Sequence, residues 1–85
     1  SLNVGGQRFD VLRSTLARYP ETLLGRIANS PLPVYIDRSP TLFPLIIDTY
    51  RTGSAYVATA YQTTTFLETL RDEARFYQIE QRMFP

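Results

Sequence analysis

The residues able to do chemistry in this chain are its acids, tyrosines and arginines, because the 85 residues include no Cys, no His and no Lys, and all nine basic residues are Arg. That composition removes thiolate and imidazole metal ligands, Cys/His and Ser/His nucleophiles and the histidine proton shuttle. It also removes Schiff-base chemistry and the phosphate-binding lysine of nucleotide loops. Asp37 and Asp48 are candidates for a hydrolytic carboxylate pair, but nothing in the sequence fixes their separation, and either suits a turn cap or a solvated charge. Val4-Gly5-Gly6-Gln7-Arg8 carries the glycines of a phosphate loop, yet it joins two strand-like segments and offers no helix N-terminus to an anion. Asp37-Arg38 directly follows a strand-like segment, where a charged pair can make short, bidentate contacts to a partner chain. Its other reading is a helix N-terminal acid beside a solvated Arg. Six Tyr and nine Arg supply the side chains enriched at protein interfaces, although Tyr serves equally as half-buried core. The chain therefore reads as non-catalytic, with no cofactor and no metal.

Charge and length narrow the partners. A formal net charge of +1 lacks the basic stripe of a nucleic-acid binder. No apolar run approaches the ~18 residues of a membrane span, and no charged-then-apolar leader opens the chain. The reading is a soluble domain without direct membrane insertion, in a reducing compartment. Residues 1–85 form one domain, and the strand-like residues right after Ser1 read as the start of a domain within a longer protein. At this size the gain from apolar burial and the cost of ordering the chain nearly cancel, each being on the order of 100 kcal/mol. Small domains usually escape that balance with disulfides, metals or oligomers, and only the last is open to this composition.

The elements that must position these side chains follow from periodicity. Leu2-Asn3-Val4 and Gln7-Arg8-Phe9-Asp10-Val11 flank Gly5-Gly6, which predicts a hairpin with Leu2 facing Phe9 on an apolar side and Asn3 facing Arg8 on a polar one. Ser14 is expected to cap a short helix through Leu16 that Pro20 stops, and Glu21 to Ile27 a second one whose Leu23, Leu24 and Ile27 face the core. Asn29 to Pro33 reads as a loop and Val34 to Asp37 as a strand. A helix from Thr41, with Pro44 in its first turn, should present Leu42, Phe43, Ile46, Ile47 and Tyr50 before Gly53 ends it. Ser54 to Thr64 has no assignment. Thr65-Phe66-Leu67-Glu68 matches a capping box, opening a helix with Phe66, Leu70, Ala74 and Tyr77 on one face, and a last turn is expected around Gln81 to Phe84. The fold class is α+β: a small sheet with an N-terminal β-hairpin and about four to five packed helices.

Five blocks in order carry a resemblance: Leu2-Asn3-Val4-Gly5-Gly6; Ser14-Thr15-Leu16; Arg18-Tyr19-Pro20-Glu21-Thr22-Leu23-Leu24-Gly25; Tyr35-Ile36-Asp37-Arg38; and Tyr50-Arg51-Thr52-Gly53. Together they resemble the BTB/POZ-type tetramerisation domain shared by voltage-gated potassium channels and KCTD proteins. Asp72 to Ile79 resembles the ending common in KCTD proteins, so the chain leans to that branch. The resemblance implies a BTB/POZ-like fold and a ring of about four or five identical copies, joined through polar faces. It places the contact between copies on Asn3, Arg8, Asp10, Asp37, Arg38 and Arg51. It further implies a cytoplasmic adaptor that presents targets to a cullin scaffold of a ubiquitin ligase, or alternatively the assembly domain of a channel. Channels outside the Shaker-like branch resemble one another in a His/Cys zinc site between subunits, and these residues supply no ligand for one. A proline common a few residues past Arg51-Thr52-Gly53 is missing, and the loop after Leu24-Gly25 is short.

Overall fold

The computed structural model describes residues 1–31, 33–53 and 63–84. Along them run β1 (Leu2–Val4), β2 (Gln7–Phe9), α1 (Arg13–Leu16), α2 (Leu23–Arg26), β3 (Val34–Ile36), α3 (Phe43–Thr52), α4 (Thr64–Phe76) and α5 (Glu80–Met83). β1 and β2 make the expected hairpin, with Leu2 opposite Phe9 and Asn3 opposite Arg8. Gly5 and Gly6 take φ of 56° and 94°, the positive values that a two-residue turn requires. β3 joins β1 on the other side and runs parallel to it, giving the order β2-β1-β3. Alternation then sends Leu2, Val4 and Ile36 into the core and Asn3, Arg8 and Tyr35 to the outer face.

Helix starts differ from the sequence expectation, each for a local reason. α1 begins at Arg13, so Ser14 lies inside the first turn and no side chain caps the helix. Its start is held by the Arg13 guanidinium, which donates to the carbonyls of Ala28 and Ser30 at 2.8 and 2.9 Å. α2 is shorter than Glu21 to Ile27 because Thr22 is the cap, its hydroxyl accepting from the Gly25 N–H at 3.2 Å. Leu24 is fully buried there, while Leu23 and Ile27 pack half-buried against the core. β3 ends at Ile36, leaving Asp37 outside the ladder. α3 starts at Phe43 rather than Thr41, since Phe43 N–H bonds the Pro40 carbonyl and Leu45 N–H that of Leu42 in tight turns. Pro44 occupies its first turn and Gly53, at φ 77°, closes it.

α4 is capped by Thr63, not Thr65: the Thr63 hydroxyl accepts from Phe66 N–H at 3.0 Å, so the Thr65/Glu68 box does not form. Of the unassigned stretch, Thr63 and Thr64 open this helix, and 54–62 lie outside the described residues. The last helix covers Glu80–Met83, one residue earlier than the turn expected around Gln81 to Phe84. Between α4 and α5, Gln78 adopts φ 62°, with Ile79 N–H bonded to the Ala74 carbonyl and Gln78 N–H to that of Arg75. That is the Schellman closure of a helix, made here on Gln instead of Gly.

The core lies between the sheet and the helices. Phe43 is its pivot, 4.7 Å from the Phe9 ring and 5.4 Å from Tyr77, while the tilted rings of Tyr19 and Tyr50 lie 5.4 Å apart. One buried polar cluster explains much of the Arg18 to Gly25 block. The Tyr50 hydroxyl donates to the Thr22 hydroxyl at 2.5 Å, and the latter donates to the Tyr19 carbonyl at 2.7 Å. Gly25 packs so close to this turn that a Cβ would sit 1.9 Å from the Tyr19 oxygen. The Arg18 guanidinium reaches across to the Arg51 carbonyl at 3.1 Å and covers the C-terminal end of α3.

Candidate subunit interface

The outer face of the sheet gathers four of the six residues singled out in the sequence. Register sets Arg8, Asn3 and Tyr35 side by side across β2, β1 and β3. Asp10 reaches back to Arg8 with a 3.0 Å ion pair whose side chains are 74% and 69% exposed, a geometry worth little in water. Asn3 spends its Oδ1 on the Gly6 N–H at 2.8 Å, which fixes the hairpin turn. Asp37 is exposed and, with Asn3, Gly5, Gly6, Tyr35 and Ile36, lines a shallow groove of about 340 Å³.

The turn and the exit of β3 are locked together. Gly5 N–H donates to the Ile36 carbonyl at 2.9 Å, and a Cβ on Gly5 would stand 2.4 Å from the Arg38 carbonyl oxygen. Only glycine permits both the positive φ and this approach.

The remaining two residues stand elsewhere. Arg38 turns away onto α4, where its guanidinium is held by both carboxylate oxygens of Glu73 and lies 4.6 Å from the Phe76 ring centroid. Side-chain exposure of 32% and 13% makes this the most buried ion pair among the described residues. Arg51 sits at the end of α3, 3.5 Å from Asp48 one turn back. Asp37 lines the groove on the sheet face, whereas Asp48 lies on α3 beside Arg51, and among the described residues no cluster of three His, Cys, Asp or Glu could hold a metal.

Sequence reasoning missed Tyr35 and Glu73. Tyr35 is 73% exposed, and the alternation of Val34 and Ile36 inward was the signal for it. Glu73 is paired with Arg38 only by the fold, and no sequence pattern marks it.

Elsewhere the perturbed groups are structural. Burial pushes the Tyr50 hydroxyl up from 10.0 to about 12 and the Tyr77 hydroxyl higher still. Backbone hydrogen bonding, then Arg82, holds the Glu21 carboxyl below its ordinary value.

The outer face of the sheet thus turns a row of polar side chains to solvent over a core of aliphatic and aromatic residues. The comparisons name the class: the family model of the BTB/POZ domain matches residues 1–84. Over 84 residues the chain is 36% identical to the A-type voltage-gated potassium channel KCND3 of Homo sapiens and of Mus musculus, covering 92% of this chain and 12% of the channel. To the potassium voltage-gated channel protein Shal of Drosophila melanogaster it is 35% identical, covering 92% of this chain and 14% of that protein. The chain belongs to the BTB/POZ family, in its potassium-channel tetramerisation type, and is an oligomerisation module. It spans about an eighth of the length of these relatives. Among the described residues no helix is long and apolar enough to cross a membrane.

Proposed function

We propose that this domain gathers copies of a larger parent protein into a closed ring, without catalysis, through Asn3, Arg8, Asp10 and Asp37 on the sheet face together with Arg38 and Arg51. The observation that carries this reading is the family match over residues 1–84, which comes with a polar outer face ready for side-by-side packing. Head-to-tail contacts between polar faces close a ring when the rotation divides the circle, and they select the copy number as well as the affinity. Arg38 contributes from inside its own copy: clamped to Glu73, it fixes the carbonyl against which the Gly5 turn rests.

Two parents are supported by different observations. The relatives of human, mouse and fly are voltage-gated potassium channels, which favours a cytoplasmic channel assembly domain. The Asp72 to Ile79 segment favours a KCTD-like adaptor that presents a bound target to a cullin scaffold. Native mass spectrometry tests the ring and separates the parents in part, since five copies favour the adaptor and four are compatible with both. A pull-down with a cullin N-terminal region tests the ligase role, and no binding at micromolar concentration removes it. In light scattering, Asp37→Ala shifts the mass toward monomer; an unchanged ring mass refutes its contact role.

A further inference from the structure

The loop from β3 to α3 carries Ser39-Pro40, an exposed serine directly before a proline. That pairing is the recognition unit of proline-directed serine/threonine kinases, whose cleft takes the acceptor in an extended segment with its backbone free. Pro40 disfavours helical backbone at Ser39. Among the described residues no backbone hydrogen bond engages the Ser39 N–H or carbonyl. Its hydroxyl meets only Thr41, at 3.2 Å from the Thr41 hydroxyl and 3.3 Å from the Thr41 N–H, contacts that an exposed loop gives up readily. The other Ser-Pro pair in the sequence, Ser30-Pro31, is held the opposite way. Ser30 is half-buried, its N–H bonds the Ile27 carbonyl at 2.9 Å, and its carbonyl accepts from Arg13 at 2.9 Å.

Two neighbours decide what a phosphate on Ser39 meets. Arg38 precedes it in the chain, and Glu73 lines with it a groove of about 340 Å³ between α4 and the start of α3. Glu73, its side chain only 13% exposed, holds Arg38 with both carboxylate oxygens. A phosphoserine brings a charge of about −1.5 to −2 at neutral pH and three acceptor oxygens, against the single charge of a carboxylate. It attracts the Arg38 guanidinium and repels the Glu73 carboxylate, and burial denies Glu73 the water that would replace its partner.

We propose that Ser39 is a phosphorylation site for a proline-directed kinase, and that its phosphate takes Arg38 from Glu73 and so loosens the hold of the β3 exit on α4. The Ser39 Oγ attacks the γ-phosphorus of ATP. The Oγ–P bond forms as the bond from that phosphorus to the bridging oxygen breaks, ADP leaves, and the hydroxyl proton passes to the base of the kinase. The site stands whether or not copies assemble.

For the test, the 85-residue chain, shown to be folded by circular dichroism, is treated with ATP and a mitogen-activated protein kinase. It should gain one phosphoryl group, mapped to Ser39 by peptide mass spectrometry, and Ser39→Ala should gain none. At one fixed protein concentration the phosphorylated chain should melt about 5 °C or more below the unmodified one. In Glu73→Gln the same phosphate should leave the melting temperature unchanged or higher, because no buried carboxylate is displaced. The Arg38 Nε–H resonance of the wild type should shift on phosphorylation, a readout that needs no second variant. No phosphate on Ser39 while a standard peptide substrate is modified, or phosphate that enters only after the chain is unfolded, overturns the site. An equal fall in melting temperature with and without the Glu73 carboxylate, or an unmoved Arg38 resonance, overturns the exchange of partners.

Discussion

Thr22 should be the most costly hydroxyl to remove among the described residues, and a double-mutant cycle with Tyr50 measures why. Thr22 is 1% exposed and Tyr50 fully buried, and the Thr22 oxygen serves the Gly25 N–H, the Tyr19 carbonyl and the Tyr50 hydroxyl at once. Thr22→Val removes a helix cap, about 1 kcal/mol, and strands the Tyr50 hydroxyl in the core, roughly 1–3 kcal/mol more. The Tyr19 carbonyl keeps the Thr22 backbone N–H at 3.0 Å and adds nothing to the loss. Tyr50→Phe deletes only one neutral hydrogen bond and should cost about 1 kcal/mol. With both changes no orphan remains, so the double variant should lose about 1–2 kcal/mol, well short of the sum of the singles. The expected coupling is about 2 kcal/mol. Urea unfolding followed by circular dichroism measures it, at one fixed protein concentration because assembly adds stability by mass action. Additive losses, or a Tyr50→Phe variant as unstable as Thr22→Val, would refute the network as the organiser of this turn.

Other outcomes follow from neighbouring features. Gly25→Ala drives a Cβ to 1.9 Å from the Tyr19 oxygen and 2.7 Å from Pro20 Cα, both backbone atoms, so it should cost more than about 4 kcal/mol and leave the chain without a cooperative melt. The Tyr77 hydroxyl is buried with no partner among the described residues, so Tyr77→Phe should raise stability by about 1 kcal/mol, and a clear loss would reveal an unseen acceptor. Burial lifts the Tyr50 hydroxyl from 10.0 to about 12, so its stabilisation is complete below the unfolded value of 10.0 and is lost as pH rises through about 12. Melting temperatures should fall across that window, and less steeply in a Tyr50→Phe, Tyr77→Phe chain; equal slopes would contradict the assignment.

What was legible in the sequence is what local pattern determines. Gly5-Gly6 between alternating segments fixes the hairpin and its register, hence which side of Asn3 and Arg8 meets solvent. The stripe from Phe66 to Tyr77 fixes the buried face of α4. Helix starts were less legible because hydroxyls are abundant: Thr63, Thr64 and Thr65 are each able to cap, and the choice falls to the one that places the Phe66 N–H in reach. Ser14 looked like a cap, yet long-range bonds from Arg13 to the carbonyls of Ala28 and Ser30 set that helix. The positive φ of Gln78 had no glycine to announce it. For the interface, alternation revealed the polar sheet face, but the parallel pairing of β1 with β3, which makes Asn3 and Tyr35 neighbours, joins segments with no local signal. The sequence places Arg38 beside Asp37 as an outward charge, and its inward turn onto Glu73 depends on where α4 docks.

Folded copies of this domain should join in a ring, and the mass of the folded chain in solution checks that with the fewest intermediate assumptions. Sedimentation equilibrium of the wild-type domain over a wide dilution series should give a single species several times the mass of one chain, falling apart only as the concentration drops through its dissociation constant. A folded species with the mass of one chain at every concentration would contradict it.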